Sequence, residues 1–425
     1  MANKLLTFLG TNDYLECNYY LNNSIEKIQT RFIQSALAKL ICKNWLEDDK
    51  IIIFVTKDAK EINYDTPNKY NKPGLNEVLK DLKLKCMHTS VLIPEGKDVE
   101  ELWKIFQKII DVVDDKDNIY LDITHSFRFM PMLVLITLNY AKFLKGINIS
   151  EVYYGAIESG GTLNELKKLD VKDRYAPIFN ITQFVSLFDW TVAVEKFLST
   201  GDATKISELT QTAIKPILRD TKGKDKSAAV MKKLACGLEK FSKDISICRG
   251  IEIQNSISEI KKTLNDPIIL DSLLPQMVPM FQKIKDKYAY FGEDNFKNII
   301  QVVKWCSEHN QIQQGFTFLQ ELIISFECKR KGYDITNRKN RENVACELSK
   351  RWKEVGYDKS KEEKGYNLTP ENTDYELSKI YSEIGEYRNN INHAGYRENR
   401  LSYEKFVKNL KEYIQKVDNI INEKK

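Results

Sequence analysis

The sequence predicts an α/β domain with a parallel sheet over residues 1–178, followed by an all-α chain to its end. Three observations carry the prediction. In the first part, short apolar runs alternate with longer periodic stretches, the pattern of β-α units. Those runs lack polar–apolar alternation, as strands buried on both faces do. After about Pro177 the runs stop, and long amphipathic stretches continue to Lys425.

Strands are expected at residues 5–9, 51–55, 87–93, 119–123 and 152–156. Between the first two, Thr30 reads as the N-cap of a helix through Lys43. Asp98 caps a second helix, in which Val99, Leu102, Phe106 and Ile109 recur at helical spacing, and Pro131 suits the first turn of a third. Beyond the sheet, Phe184, Leu187, Phe188, Val192, Val194 and Phe197 line a broad helical face that ends near Gly201. Helix breaks are expected at 222–227, at Asp266-Pro267, at 275–279 and at Phe291-Gly292. A polar, charged segment at 329–367 reads as an insertion or mobile loop. Residues 378–394 form a helix with Ile380, Ile384, Tyr387 and Ile391 on one face and Gly395 as its terminator. The expected division is an α/β domain at 1–178, a helical linker region at 179–300 and a helical C-terminal domain at 301–425.

A chain of 425 residues suits two or three domains. With 42% hydrophobic and 29% charged residues, disorder and fibrous repeats are excluded. The net charge of +5 permits an anionic partner without demanding one. The eight cysteines are scattered with no C-x-x-C pair, and the histidines are His88, His125, His309 and His393, so neither a zinc cage nor a disulfide framework is encoded and no metal site is expected. Residues 5–9 have one basic residue before them and Thr11-Asn12-Asp13 soon after, which is no signal-peptide profile. The longest apolar run, 132–138, is too short for a bilayer. The expectation is a cytoplasmic protein with no membrane partner.

In an open α/β sheet, ligands bind outside the carboxyl ends of the strands. Two loops fall there. The first is Gly10-Thr11-Asn12-Asp13-Tyr14, where Gly10 is expected to allow a sharp turn and Thr11 and Asn12 to hydrogen-bond a ligand. The second is Asp122-Ile123-Thr124-His125-Ser126-Phe127-Arg128, whose hydroxyls, cation and following helix start suit a phosphate. Each loop alone is commonly only a turn, with Asp122 a simple cap and Arg128 a surface ion-pair partner. Their coincidence on one sheet edge points to a nucleotide or oligonucleotide. Neither a G-x-G-x-x-G run nor a Walker lysine is present, which disfavours dinucleotides and ATP.

Near the end lies Arg388-Asn389-Asn390-Ile391-Asn392-His393. Arginine and histidine five apart stand about 140° around an ideal helix, so one chain need not bring them together, whereas two copies meeting across a helix pair could. RNA supplies its own nucleophile in the 2′-hydroxyl. Cleavage then needs proton transfer, suited to His393, and charge stabilisation, suited to the planar fork of Arg388. The alternative is that both merely cap carbonyls or pair with Glu383 and Glu386. Asparagine is a poor helix-interior residue, and Asn389, Asn390 and Asn392 crowd this segment as groups that can position a phosphate or a base.

These residues resemble a known family: CRISPR-associated ribonucleases that join a Rossmann-like CARF sensor domain to an all-α HEPN nuclease domain. The resemblance rests on Phe8-Leu9-Gly10-Thr11-Asn12, on the Asp122 to Arg128 stretch, on the 184–201 helix and on Arg388-Asn389 through His393, an R-x4-H spacing. It spans nearly the whole chain in the expected order. It implies an endoribonuclease that degrades single-stranded RNA in type III CRISPR antiviral defence, leaves 2′,3′-cyclic phosphate ends and needs no cofactor for catalysis. Its activator would be a cyclic oligoadenylate, with cyclic tetra-adenylate the ring expected. By position, Gly10, Thr11, Asn12, Thr124, His125, Ser126, Arg128 and Glu158 would bind that ring; Ser126 stands where members often carry glycine. Arg388 and His393 would be catalytic, with Asn389 and Asn392 in support. The family further implies a homodimer or higher homo-oligomer, since a two-fold ring matches an isologous interface. Slow cleavage of the activator by the sensor domain would fall to Thr11, Thr124 and His125.

Two other classes compete. One is a nucleotide-sensing CARF transcription regulator that binds DNA, for which the basic stretch 222–233 would have to supply a recognition helix; it reads instead as a loop entering a helix. The other is a nuclease-dead HEPN partner, against which the intact Arg388 and His393 stand. The basic residues of 329–353, among them Lys329, Arg330, Lys331, Arg338, Lys339, Arg341, Lys350, Arg351 and Lys353, either guide RNA or form a solvated helix surface, since Glu342, Glu347 and Glu354 are interleaved with them.

Overall fold

The computed structural model describes residues 1–21, 25–66, 71–125, 129–272, 277–355, 370–396, 398 and 400–423. The chain forms two compact units, Met1–Ser186 and Leu187–Lys425.

The first unit holds one sheet of β1 (Asn3–Leu9), β2 (Cys17–Leu21), β3 (Ile28–Thr30), β4 (Lys50–Val55), β5 (Met87–Leu92), β6 (Asn118–Asp122), β7 (Asn148–Gly155) and β8 (Tyr175–Asn180). Their order is β3-β2-β8-β7-β6-β1-β4-β5. The five expected strands are β1, β4, β5, β6 and β7, each parallel to its neighbours in that set. The sheet is mixed, not wholly parallel as expected, because β8 runs antiparallel to β7 and β3 antiparallel to β2. Three strands escaped the sequence reading for physical reasons. The first two are short, and β8 contains Pro177, whose missing N–H argues against a strand. Its carbonyl nevertheless accepts from the Ala156 amide at 2.9 Å.

Successive strand residues point to opposite faces, and both faces are covered. Helices α1 (Ile33–Ile41), α2 (Lys57–Ala59), α3 (Leu75–Asp81), α4 (Val99–Asp111), α5 (Met130–Lys145) and α6 (Leu163–Lys168) follow in chain order. Leu5, Leu9, Ile51, Ile53 and Val55 pack with Ile33, Ala36 and Leu37 of α1 and Leu75 and Leu79 of α3. Leu6, Phe8, Ile52 and Phe54 pack on the other side with Ile105 and Ile109 of α4 and Val134 and Leu138 of α5. Each leucine, isoleucine, valine or phenylalanine among them contributes about 1.5–3 kcal/mol by leaving water. Asp98 caps α4 as expected, accepting from the Glu101 amide at 2.8 Å, and Pro131 sits in the first turn of α5. Thr30 is not an N-cap. It ends β3, its hydroxyl accepts from the Phe32 amide at 3.1 Å, and α1 begins only at Ile33.

The second unit is helical. Its elements are α7 (Thr182–Thr200, entered from the first unit), α8 (Thr204–Asp220), α9 (Lys226–Ser246), α10 (Gly250–Leu264), α11 (Pro267–Ser272), α12 (Val278–Tyr288), α13 (Asn295–Glu308), α14 (Ile312–Arg330), α15 (Arg338–Val355), α16 (Pro370–Asn392) and α17 (Tyr403–Glu423). One core joins Phe197, Phe241, Phe281, Trp305, Phe316, Ile384 and Val417, so residues on both sides of position 300 share it. The breaks expected at 222–227, 266–267 and 291–292 are present; of 275–279, residues 275 and 276 lie outside the described residues. The segment expected to be a loop at 329–367 is largely helix up to Val355, and the rest of it lies outside the described residues. Arginine, lysine, glutamate and alanine favour helix, and Val344 and Leu348, one turn apart, bury the inner face of α15. Helix α16 starts before the expected residue 378, and Gly395, at φ 73°, follows its end. Among the described residues no helix is long and apolar enough to cross a membrane.

Candidate functional site

Strand β1 lies between β4 and β6, and the chain lays β4 and β5 on one side of it and then β6 and β7 on the other. The carboxyl ends of β1 and β6 therefore flank a topological switch point, where loops diverge and leave a crevice. Asp122 closes β6 there, fully buried. Its Oδ2 accepts from the Thr7 hydroxyl at 2.6 Å, and its Oδ1 accepts from the Thr124 amide at 3.0 Å and hydroxyl at 2.6 Å. Thr124 Oγ1 in turn accepts from the Gly155 amide at 2.8 Å, which ties the loop to β7. Burial raises the Asp122 carboxyl above its ordinary value, against the pull of those threonine donors.

The other wall is the loop after β1. The Gly10 amide donates to the Tyr14 hydroxyl at 2.7 Å, and a Cβ on Gly10 would stand 3.0 Å from that oxygen. Gly10 is not in the left-handed region. Its value is close approach, not the sharp turn expected from sequence. Asn63, fully buried on the π-helical turn Lys60–Tyr64, donates to the carbonyls of Gly10 and Asn12, each at 2.9 Å, and holds the loop from beneath. The His125 ring lies against Tyr14 with centroids 4.2 Å apart. Its Nε2 is shielded and has no hydrogen-bond partner among the described residues, and burial pulls the imidazole down to about 4.

A cleft of about 300 Å³ opens between the loops. Gly10, Thr11, Asn12, Thr124 and His125 line it as the sequence reading expected, joined by Tyr14, Thr56 and Met130. Ser126 and Arg128 lie outside the described residues. Glu158 is not in this lining; it is exposed on the turn Ile157–Gly160, where the Tyr154 hydroxyl donates to it. Sequence reading placed Tyr14 in the first loop without assigning it a contact, and missed Thr56 and Asn63. A polar Thr7 inside an apolar strand was a readable hint of the Asp122 network, whereas nothing local marks Asn63.

In the second unit, α16 packs on α14 and α17. Tyr387 stacks on Phe316 with centroids 5.2 Å apart and accepts from Asn409 Nδ2 at 2.7 Å, and Tyr413 donates to Glu383 at 2.9 Å. This fixes the helix turn that carries Arg388, half-buried, whose Nη1 donates to Gln320 Oε1 on α14. His393 is the first residue past the helix. It is exposed; its amide donates to the Asn389 carbonyl at 3.1 Å, and its ring has no hydrogen-bond partner among the described residues. Asn389 and Asn392 are exposed and Asn390 is buried. No hydrogen bond joins Arg388 to His393 among the described residues.

The basic 329–353 stretch is extensively paired. Arg330 meets Glu327 and Asp374, Lys331 meets Glu347, Arg338 meets Glu342 and Arg341 meets Glu321. That favours a solvated helix surface over an RNA guide. At 222–233, α8 and α9 form an antiparallel hairpin: the Ala203 amide donates to Ser242 at 3.1 Å and the Ser207 hydroxyl to Glu239 at 2.6 Å, so the start of one helix meets the end of the other. A DNA-reading helix-turn-helix crosses its helices at roughly 90–120°.

Residues 4–158 match the CARF domain of the CRISPR system endoribonuclease Csx1, and residues 186–292 match the second domain of the CRISPR-associated protein MJ1674. The curated protein MJ1674 of Methanocaldococcus jannaschii is 24% identical over 374 residues, covering 76% of this chain and 54% of that protein. The chain thus spans about half the length of the curated relative it matches. These likenesses support a CRISPR-associated CARF protein, with a mixed α/β CARF domain first and a mostly helical region after it.

Proposed function

We propose that the chain is a metal-independent endoribonuclease of type III CRISPR antiviral defence, switched on by a cyclic oligoadenylate and cutting single-stranded RNA. The observation that carries the reading is the cleft at the β1–β6 switch point, within the stretch similar to the Csx1 CARF domain. Gly10, Thr11, Asn12, Thr124 and His125 supply its hydrogen-bonding rim. Ser126, Arg128 and Glu158 complete the proposed ring contacts, and cyclic tetra-adenylate is the ring we favour. The nuclease is assigned to a HEPN module at 301–425, after a linker region at 179–300.

Cleavage follows from what RNA brings. The 2′-oxygen attacks the adjacent phosphorus, the 5′-oxygen leaves, and a 2′,3′-cyclic phosphate remains. His393 moves the protons; Arg388 holds the negative phosphorane, with Asn389 and Asn392 positioning the strand. General acid–base help is worth about 10²–10⁴ in rate and an electrostatic donor about 10²–10³. Five positions apart, about 140° around an ideal helix, Arg388 and His393 need not meet within one chain, and two copies could bring them to one phosphate.

The test is cleavage of a fluorescent single-stranded RNA in EDTA with tri-, tetra- and hexa-adenylate rings. Stimulation by the tetra-adenylate ring, and loss of at least about 10²-fold on Arg388→Ala or His393→Ala, is the expected result. Cleavage indifferent to every ring, or undiminished when residue 393 is alanine, overturns it. Slow loss of the ring itself, abolished by Thr124→Ala, would place a second activity in the cleft.

A further inference from the structure

Several arginines of the helical unit are held by carboxylates: Arg330 by Glu327 and Asp374, Arg338 by Glu342, Arg341 by Glu321. Arg388 is held by a neutral amide. Its Nη1 donates to Gln320 Oε1. Gln320 is 8% exposed, and α16 offers it Gly385, where a Cβ would stand only 3.7 Å from Gln320 Nε2. The adjacent carboxylate on α14, Glu321, is already engaged by Arg341. Among the described residues no carboxylate forms an ion pair with Arg388.

We propose that Gln320 is a positioning residue for RNA cleavage: it aims the Arg388 guanidinium from a buried, uncharged anchor and leaves the cation free to face the phosphate. The proposal rests on the reading of Arg388 as catalytic. A carboxylate at position 320 would have the same shape but would claim the guanidinium fork in a charge-assisted pair. An apolar side chain of similar length would fill the space without aiming the arginine.

The experiment compares wild type, Gln320→Glu, Gln320→Met and Arg388→Ala in the full chain, with fluorescent RNA and the activating ring. It reads kcat and KM separately from pH 5 to 8, and the melting temperature. The expected Gln320→Glu result is an unchanged or higher melting temperature and a kcat about 10–10²-fold lower near pH 7.5. The deficit relative to wild type should persist from pH 5 to 8, because a carboxylate paired with a guanidinium stays ionised across that range. Gln320→Met should lower kcat to a similar degree with a pH profile parallel to wild type, and it decides the matter should the glutamate variant melt early. Wild-type kcat in Gln320→Met, or in a stably folded Gln320→Glu at pH 7.5, overturns the role of Gln320 while an inactive Arg388→Ala leaves the nuclease assignment standing. An active Arg388→Ala instead removes the catalytic reading on which the role depends.

Discussion

His125 sits in a cleft proposed for a phosphate-bearing ring, yet its surroundings favour the uncharged imidazole. Burial against Tyr14 carries it from an ordinary 6.5 down to about 4. Between those values the unfolded chain binds a proton that the folded chain refuses, so stability rises with pH across the window. This contribution is fully present above about 6.5 and is lost as pH falls toward 4. Melting temperatures of wild type and His125→Gln should therefore diverge with pH, the variant losing less between pH 6.5 and 4. Identical slopes would show that the ring is solvated. A neutral ring offers hydrogen bonds in place of charge, so in the proposed site the cation for a phosphate falls to Arg128. Thr11, Asn12, Thr124 and His125 were legible in sequence because position relative to strand ends is a rule of the fold. Asn63 was not legible, since only tertiary packing places a π-helical asparagine beneath residues 10–12.

At the scale of elements, legibility followed burial. Strands β1 and β4 are sealed on both faces and show as apolar runs, interrupted within residues 5–9 only by Thr7, whereas β2 mixes asparagine with tyrosine and β8 carries a proline. Helix α15 was hidden by its charge, because two buried residues, Val344 and Leu348, leave no broad apolar stripe. The end of α7 was plain in sequence at Gly201, and the structure shows a second demand there. Gly201 holds φ 73°, and a Cβ would stand 2.6 Å from Trp305 Nε1, in a ring cluster with Phe197 and Phe241. Gly201→Ala combines a strained backbone with overpacking against a buried indole, so a loss of roughly 1–3 kcal/mol is expected. Urea unfolding measures it, and an unshifted midpoint would mean that Trp305 yields freely.

For the whole molecule, the proposed switch needs two copies, and the first unit offers an apolar face for them. On α5, Met132, Ile136, Tyr140 and Phe143 recur at helical spacing and are all exposed, Phe143 by 87%. The face extends onto α4 through Phe106, whose ring lies 5.4 Å from Tyr140 and 5.4 Å from the exposed Trp103. Contiguous apolar surface of this kind is uncommon on monomers. Helix α5 begins just beyond the loop that carries Thr124 and His125, so a partner seated on this face would lie next to the loops proposed to bind the ring. To move a dimer from mostly off to mostly on, the ring must favour the active arrangement by about 5.5 kcal/mol, and contacts from both copies divide that requirement. Met132→Glu with Phe143→Glu should accordingly give monomers in sedimentation and remove ring-stimulated cleavage, while the melting temperature of the chain stays close to wild type because neither side chain is buried in the monomer. A doubly substituted protein that remains monomeric at assay concentration and still cleaves on addition of the ring would show that one chain can assemble the catalytic site, against the proposal of a cleft composed from two copies.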